Sequence, residues 1–287
     1  MLNIIDIYIS LEFLLNHRLN IIIYGDMNRM NKNFNIFNED CINFMNKLEK
    51  QNGKCVDVIL TSPPYNTERS KGDMTKYEKR YDVYTGMDKN EYIDWTIDVF
   101  NHYDSILKDN GCILYNMSYG NENPTQMYDA ISGILGQTNF TIADTIIWKK
   151  KSALPNNMSH NKLTRICEFI FVLCRKKEYK TFFMNKSVKS KRKTGQNNYE
   201  NIFNFIEAKN NDGLTKLNKA TYSSELCEKL LKMYAKPNSL VYDSFNGTGT
   251  TGVAALRLGH KYIGTELSKK QCEFSINRLN DIENSII

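Results

Sequence analysis

The chain of 287 residues lacks the residue spacings that build metal centres and disulfide frameworks. Its seven cysteines are scattered, with no C-x-x-C pair, and its four histidines are equally dispersed, with no H-E-x-x-H spacing. Several cysteines interrupt apolar runs, where cysteine usually acts as a small buried hydrophobe. We therefore expect no metal site and a reducing compartment, the cytoplasm.

Long uncharged apolar runs are also missing. Residues 1–34 open with an apolar stretch, but Asp6 and Glu12 interrupt it and no basic leader precedes it. A membrane-spanning helix needs about 18 consecutive apolar residues, so neither a membrane span nor a signal peptide is expected. We interpret residues 1–34 as an N-terminal extension that packs on the body or offers a partner surface.

Positive charge is concentrated in one part of the chain. The formal net charge is only +6, but the stretch from Lys149 to Lys193 contains 14 Lys and Arg against two acids, Glu168 and Glu178, a local charge of +12. A one-sided concentration of this kind is typical of phosphate binding. Nucleic acid is therefore favoured as a partner over the alternative, a solvated lysine-rich loop.

The segment Thr61–Asn66, TSPPYN, follows a short β-branched run, Val56–Leu60, of the kind that forms a strand buried on both faces of a parallel sheet. Ligands of open α/β sheets bind at the carboxyl ends of the strands. The two prolines offer no N–H and keep Ser62 out of the helical region. Residues Ser62–Tyr65, the hook, therefore present carbonyl oxygens, a hydroxyl and an aromatic ring.

The hook suits methylation of an amino group on a nucleobase. The lone pair of an exocyclic amine is delocalised into the ring, so acceptors must draw its hydrogens out of plane. Ser62 and the Pro63 carbonyl are the candidate acceptors, and Tyr65 is expected to stack on a base turned out of the duplex. An ordinary proline turn after a strand is the alternative interpretation.

The hook, Ser62-Pro63-Pro64-Tyr65, resembles the catalytic motif of the DNA amino-methyltransferases, which use S-adenosylmethionine to modify the amino groups of adenine or cytosine. The family's cofactor motif, Asp-x-Phe-x-Gly-x-Gly, is matched by Asp243–Gly249. The catalytic motif comes about 180 residues before the cofactor motif, which is similar to the permuted order of the family's β group. The resemblance covers roughly residues 35–285.

The resemblance implies an α/β fold with a seven-stranded Rossmann-like sheet, mostly parallel with one antiparallel strand and circularly permuted. It assigns residues 35–175 and 219–287 to the catalytic domain and 176–218 to a small target-recognition insertion. The insertion is basic and low in core-forming residues, so we expect it to need the catalytic domain or DNA to become ordered.

The resemblance also implies a site for S-adenosylmethionine. Its candidate residues are Asp243, Phe245, Gly247, Gly249, Glu266, Asp40, Tyr222 and Ser223. Asp40 is equally well explained as a helix N-cap. Tyr222-Ser223 stands where the family often has a proline, so the resemblance assigns these two residues to the cofactor site only weakly.

The segment Gly247–Gly252 also spells G-x-G-x-x-G, and Glu266 follows Gly247 by 19 residues, which makes a dinucleotide enzyme an alternative. The carboxylate of Asp243 at a strand tip would repel a pyrophosphate but would pair with the ammonium of a methionine. Only 35 residues follow Gly252, too few for a conventional dinucleotide fold. The methyl donor is therefore favoured.

Two stretches carry the candidate contacts to double-stranded DNA. These residues are Lys149, Lys150, Lys151, Arg165, Lys189, Lys191, Arg192 and Lys193. The segment from Thr67 to Thr85 is too long for a simple connection, and its basic and tyrosine residues suit a flap over DNA. A cognate restriction endonuclease and a homodimer are both compatible with the resemblance, and the sequence determines neither.

The target base and the activity each have alternatives. Serine at the first position of the hook resembles the cytosine-N(4) members, whereas adenine-N(6) members more often carry Asp or Asn, so cytosine is slightly favoured. A catalytically silent DNA-binding protein would not need an intact Ser62, Tyr65 and Asp243. A protein amide methyltransferase shares the Pro-Pro-Tyr hook, but its cofactor motif usually comes first and the +12 stretch would be unexplained.

Overall fold

The computed structural model describes residues 33–66, 87–120, 123–153, 160–214 and 221–286. Residues 1–32 of the predicted extension and the predicted flap at 67–85 lie outside these ranges. The elements in chain order are β1 (Phe34–Phe37), α1 (Cys41–Asn52), β2 (Val56–Thr61), α2 (Lys89–Ile106), β3 (Leu107–Met117), α3 (Gln126–Gln137), β4 (Phe140–Lys150), β5 (Cys167–Arg175), β6 (Val188–Lys191), β7 (Asn197–Tyr199), β8 (Phe205–Ala208), α4 (Ser224–Tyr234), β9 (Leu240–Asp243), α5 (Thr250–Arg257), β10 (Lys261–Thr265) and α6 (Lys269–Ile286).

The central sheet has the strand order β1-β10-β9-β2-β3-β5-β4-β8. Its neighbouring strands are parallel except at β5, which runs antiparallel to β3 and β4. The prediction of a mostly parallel, permuted α/β sheet with one antiparallel strand is therefore confirmed. The late strands β9 and β10 lie between the early strands β1 and β2.

The predicted number of strands was wrong, because the sheet has eight strands and not seven. The additional strand, β8, pairs with β4 and lies in the stretch assigned to the recognition insertion. Only four residues long, it buries Ile206 and Ala208 and exposes Phe205 and Glu207. A single alternating tetrapeptide in a polar stretch is too short to reveal a strand by its period.

Helices cover both faces of the sheet. The apolar side chains of α4, α5 and α6 pack with Val58 and Leu60 of β2 in one cluster. Those of α1, α2 and α3 pack with Ile59 of β2 in the other. Because β2 is buried on both faces, Val58, Ile59 and Leu60 form a continuous apolar run in its centre. No helix within the described ranges has both the length and the apolar character needed to cross a bilayer.

A buried arginine joins the end of β5 to the end of α2. The guanidinium of Arg175 donates to the carbonyls of Leu107 at 2.6 Å, Asp104 at 2.9 Å and Lys108 at 3.0 Å. It also contacts the carboxylates of Asp104 and Glu178. The last carbonyls of a helix have no partner within it, so Arg175 closes the carboxyl end of α2.

Candidate active site

The two sequence motifs meet at the carboxyl ends of neighbouring strands. Strands β2 and β9 pair in parallel, with Ile59 opposite Tyr242. At their ends the hydroxyl of Thr61 donates to Oδ1 of Asp243 at 2.7 Å. Thr61 directly precedes the hook and Asp243 opens the cofactor motif, so the fold brings the two motifs together.

The carboxylate of Asp243 faces the protein interior and is only 2% exposed. Besides Thr61, its donors are the backbone N–H of Phe245 at 3.0 Å, the hydroxyl of Thr251 at 2.6 Å and the hydroxyl of Tyr222 at 3.2 Å. Burial raises the pKa of Asp243, and the hydrogen bonds oppose that rise. One side chain thus joins the hook, the cofactor motif, α5 and the segment before α4.

The loop between β9 and α5, residues 244–249, is shaped by glycine. Gly247 and Gly249 have φ angles of 51° and 78°, in the left-handed region that favours glycine. A Cβ atom on Gly249 would lie 2.9 Å from the Cβ of Ser275. The carboxylate of Glu266 accepts from the N–H of Gly247 at 2.9 Å and from that of Ser268 at 2.8 Å. Burial is the main cause that raises the pKa of Glu266.

Two buried hydroxyl groups near this loop lack a hydrogen-bond partner among the described residues. They are Oγ1 of Thr248, within the loop, and Oγ1 of Thr221, beside Tyr222. A buried hydroxyl without a partner costs free energy, so these two atoms suit a polar ligand. Together with the glycines and Glu266, they fit the amino-acid and ribose groups of S-adenosylmethionine.

Three other predicted cofactor residues have structural roles of their own. Asp40 is the N-cap of α1, since its Oδ1 accepts from the N–H groups of Ile42 at 3.0 Å and Asn43 at 3.1 Å. Ser223 is the N-cap of α4, and its hydroxyl donates to the carbonyl of Lys209 at 2.8 Å. Their contact with the cofactor stays a prediction. The ring of Phe245 packs on Trp95 with centroids 5.6 Å apart.

A network of polar side chains holds the hook. Nδ2 of Asn116, at the end of β3, lies 3.2 Å from Oγ of Ser62, 2.9 Å from the hydroxyl of Tyr65 and 3.1 Å from Oε2 of Glu168. Glu168, near the start of β5, also pairs with Lys150 at the end of β4. The carbonyl of Pro64 accepts from the hydroxyl of Tyr92 at 3.0 Å.

Asn116, Glu168 and Tyr92 were not among the residues predicted from the sequence. Asn116 ends a buried strand at the same edge as the hook, which was a usable signal. Glu168 stood out only as one of two acids in the basic stretch. Tyr92 carried no signal, because a tyrosine in the first turn of a predicted amphipathic helix is usually an ordinary core residue.

A small cleft of about 20 Å³ opens beside the hook. Tyr65, Tyr92, Met117 and Gln126 are among its lining residues. At its rim Asn66 donates to the carbonyl of Met87 at 3.0 Å and accepts from its N–H at 2.9 Å. This pair holds together the two ends of the segment 67–86.

The candidate DNA contacts fall into two groups. The lysines at the end of β4 have acidic partners: Lys149 pairs with Glu207, Lys150 with Glu168 and Lys151 with Glu225. The guanidinium of Arg165 lies 5.2 Å from the ring centroid of Tyr119 and donates to that residue's carbonyl. The second group, on the β6–β7 hairpin, is fully exposed and forms no ion pair within the described part of the chain; it comprises Lys189, Lys191, Arg192 and Lys193.

Comparisons with known proteins agree with this site. The model of an N6/N4 methyltransferase family, described as DNA methylase, matches residues 56–277. The Type II methyltransferase M.HinfI of Haemophilus influenzae is 30% identical over 268 residues, which cover 86% of this chain and 68% of the relative. The crystal structure of the M1.HpyAVI–SAM complex is 25% identical with a TM-score of 0.59, over 86% of this chain and 99% of that one.

A second solved structure shares the fold alone. The PvuII DNA methyltransferase, whose title reads cytosine-N4-specific, has a TM-score of 0.62 at 19% identity, over 89% of this chain and 93% of that one. The family match covers well over half of the chain and includes both motifs. The chain therefore belongs to the S-adenosylmethionine-dependent DNA amino-methyltransferases, the N6/N4 family of DNA methylases.

Proposed function

We propose that this enzyme methylates the N(4) amine of a cytosine turned out of double-stranded DNA, with the N(6) amine of adenine as the alternative target. The observation that carries the proposal is the hydrogen bond between Thr61 and Asp243, which joins the hook to the cofactor loop. The serine at position 62 and the shared fold of a protein titled cytosine-N4-specific support cytosine.

The residues of the chain position the reactants. S-adenosylmethionine supplies an electrophilic methyl group when it is bound. Ser62 and the Pro63 carbonyl accept the two hydrogens of the target amine, which localises the lone pair on its nitrogen. Asp243 shapes the cofactor loop through its four donors, and Glu266 offers carboxylate oxygens to the ribose. Catalysis rests on positioning and electrostatics, with no general base or metal, and the surplus proton leaves the methylated amine after transfer.

The cleft beside Tyr65 receives the target base. The cleft encloses about 20 Å³, far below the roughly 300–1,000 Å³ of small-ligand pockets, so it widens when the base enters. The ring of Tyr65 lines this cleft, and its hydroxyl is held by Asn116. A ring fixed at its far end is well placed to stack on a flipped base.

The β6–β7 hairpin contacts the DNA backbone, and residues 176–218 serve as the recognition segment. Its four basic side chains have no carboxylate partner within the described ranges, so they are available to phosphates. Lys149 and Lys151 reach phosphate after exchanging their partners, since an exposed ion pair is worth only about 0–1 kcal/mol, whereas Lys150 stays paired with the more sheltered Glu168. The Type II names of the relatives support a cognate restriction endonuclease as a further part of the proposal.

Mass spectrometry of nucleosides tests this function. The enzyme is incubated with duplex DNA and methyl-labelled S-adenosylmethionine, and the DNA is then hydrolysed. We expect labelled N(4)-methylcytosine. Labelled N(6)-methyladenine would establish the alternative base. Label found only in protein or RNA would contradict a DNA substrate.

Replacing Ser62 or Tyr65 by alanine is expected to slow methyl transfer at least about tenfold, or roughly 1.4 kcal/mol. The first change removes an acceptor for the amine and the second removes the stacking surface. Cofactor affinity should be largely kept. Single-turnover transfer and calorimetric titration of the cofactor measure the two effects. Tyr128→Ala, at an exposed position of α3, is the control; equal turnover in all three variants would refute the assigned roles.

Cofactor affinity is expected to fall as the pH is lowered from about 8 to 5. Burial raises the pKa of Glu266, so this carboxylate gains its proton at a higher pH than an exposed glutamate does. The proton removes an acceptor from the ribose site. For stability the sign is opposite, because a raised pKa in the folded state stabilises folding at low pH and the gain is lost as the pH rises through it.

Glu266→Gln isolates this effect. Glutamine does not titrate, so the decline in affinity with falling pH should be smaller in the variant, although affinity at neutral pH is lower. Asp243 also has a raised pKa and is present in both proteins, but its charge interacts with that of Glu266, so loss of the Glu266 charge lowers the pKa of Asp243 in the variant. Titrating cofactor by calorimetry across the pH range measures both curves. Parallel curves would assign the pH dependence to another group.

A further inference from the structure

We propose that Glu168 is a positioning residue of the hook. Its carboxylate fixes the direction in which the groups around Ser62 donate, so that Ser62 keeps a lone pair for the target amine. This inference rests on the proposed function. It concerns a side chain that neither of the two sequence motifs contains.

The contacts form a short chain that ends on Glu168. The hydroxyl of Ser62 lies 3.4 Å from that of Tyr65, which lies 3.4 Å from Oε2 of Glu168. The amide of Asn116 spans all three groups at 2.9–3.2 Å. Asn116 is 2% exposed and the Glu168 side chain 15% exposed. Hydrogen bonds are electrostatically stronger in such sheltered surroundings than in water.

The number of hydrogens on each group sets the direction of donation along these hydrogen bonds. A serine hydroxyl has one hydrogen and two acceptor sites. The NH₂ group of Asn116 shares its two hydrogens among three oxygens, and its contact of 3.2 Å occupies one side of the Ser62 hydroxyl. The other side is available to the amine only if the hydrogen of Ser62 points elsewhere. Tyr65 is the neighbour that accepts it, and Tyr65 in turn donates its own hydrogen to Glu168.

Glu168 is the member of this chain that cannot donate. An ionised carboxylate only accepts hydrogen bonds, so it draws the NH₂ group of Asn116 and the hydroxyl hydrogen of Tyr65 towards itself. With the opposite amide orientation, the carbonyl oxygen of Asn116 would face the carboxylate, which is repulsive. Glu168 therefore sets the orientation of both neighbours of Ser62.

Two further features keep this arrangement in place. Lys150 pairs with Oε1 of Glu168, which leaves Oε2 for Asn116 and Tyr65. Burial, and next the charge of Glu168, raise the pKa of Tyr65 well above its usual value. The phenol therefore keeps its hydrogen and remains a donor.

The antiparallel strand explains how Glu168 reaches the hook. The parallel strands β2 and β3 bring Ser62 and Asn116 to the sheet edge with their carboxyl ends. Because β5 runs the opposite way, it brings its amino-terminal residues to that edge, with Glu168 opposite Trp148 of β4. The β4–β5 pair thereby places the ion pair beside the catalytic motif.

Glu168→Gln tests the inference, because glutamine keeps the size of the side chain but introduces a donor. We expect the single-turnover transfer rate to fall at least about tenfold, with the dissociation constants of cofactor and DNA and the thermal midpoint nearly unchanged. A merely structural residue would change the thermal midpoint and leave the rate per folded molecule intact.

Exchanging the charges of Lys150 and Glu168 separates the direction of the hydrogen bonds from the ion pair. This double variant also provides a test if Glu168→Gln folds poorly. Lys150→Glu combined with Glu168→Lys restores an ion pair between β4 and β5, but it puts a donor beside Tyr65 and Asn116. We expect recovered stability without recovered transfer. Recovery of both would show that the pair is only structural and would overturn the inference.

The control is the exchange Arg257→Glu with Glu228→Arg. This ion pair joins α5 to α4 at 3.1 Å, and the exchange should leave the transfer rate unchanged. If the wild type methylates DNA and Glu168→Gln does so at an equal rate, the inference about Glu168 is overturned and the proposed function stands. No transfer to DNA by the wild type would instead refute the proposed function.

Discussion

Replacing Asp243 by alanine is expected to weaken cofactor binding about 100-fold, or about 2.8 kcal/mol, and to lower the free energy of unfolding by about 3 kcal/mol. Three hydroxyl groups and one N–H donate to this carboxylate. Alanine removes the acceptor that these buried donors share. Tyr222 and Thr251 keep only their contact with each other, and Thr61 keeps only a longer contact with Ser244. Both effects follow from one cause, because the donors include an N–H of the loop proposed to hold the cofactor.

Calorimetric titration of the cofactor and urea unfolding measure the two quantities for Asp243→Ala. Asp57→Asn is the matched control. Asp57 also joins β2 to β9, through the N–H of Leu240 at 2.8 Å, but at the opposite end of the strands. Its amide replacement retains an acceptor, so cofactor affinity should not change. Equal losses in both variants would mean that general sheet stability, rather than the geometry of the loop, controls binding.

Arg175→Met is expected to lower the free energy of unfolding by about 3–5 kcal/mol. The guanidinium is buried and neutralises Asp104 and Glu178 while it satisfies carbonyls at the end of α2. Methionine retains much of the apolar stem but leaves two carboxylates without their cation. Breaking one side of a buried charged cluster costs more than the cluster contributes as a whole, because the remaining charges stay desolvated.

Urea unfolding of Arg175→Met and of a surface control measures this cost. Arg257→Met removes an exposed arginine that pairs with Glu228, and such a pair is worth about 0–1 kcal/mol. Methyl transfer per folded molecule should persist in both variants, since Arg175 lies at the sheet edge opposite the hook. A similar loss of stability in the two variants would contradict the role assigned to Arg175.

The sequence was sufficient to predict those parts of the molecule whose conformation depends on short segments. The β-branched run before Ser62 and the glycines after Asp243 each specify a local conformation, and the order of the two motifs specifies the permuted sheet. Parallel strands present their carboxyl ends at one edge, so two motifs that follow strands meet there. For this reason the proximity of Ser62 and Asp243 was predictable although they are far apart in the chain.

The side-chain network around the hook was not predictable in the same way. Asn116 and Glu168 lie 52 residues apart and meet only because β5 turns back beside β3. The charge pattern gave an incomplete picture for a related reason. Lys149 and Lys151 belong to the basic stretch, but their partners Glu207 and Glu225 come from later segments. The register of the strands decides which side chains of distant segments pair. Composition carries no information about that register.

The interleaved strand order also has a consequence for synthesis. Thr61 is made 182 residues before the aspartate it binds, a delay of roughly 9–36 s at about 5–20 residues per second. During that time the facing edges of β1 and β2 lack the two strands that finally separate them. Unpaired edges recruit other chains, so the nascent protein should depend on chaperones until β9 and β10 have left the ribosome.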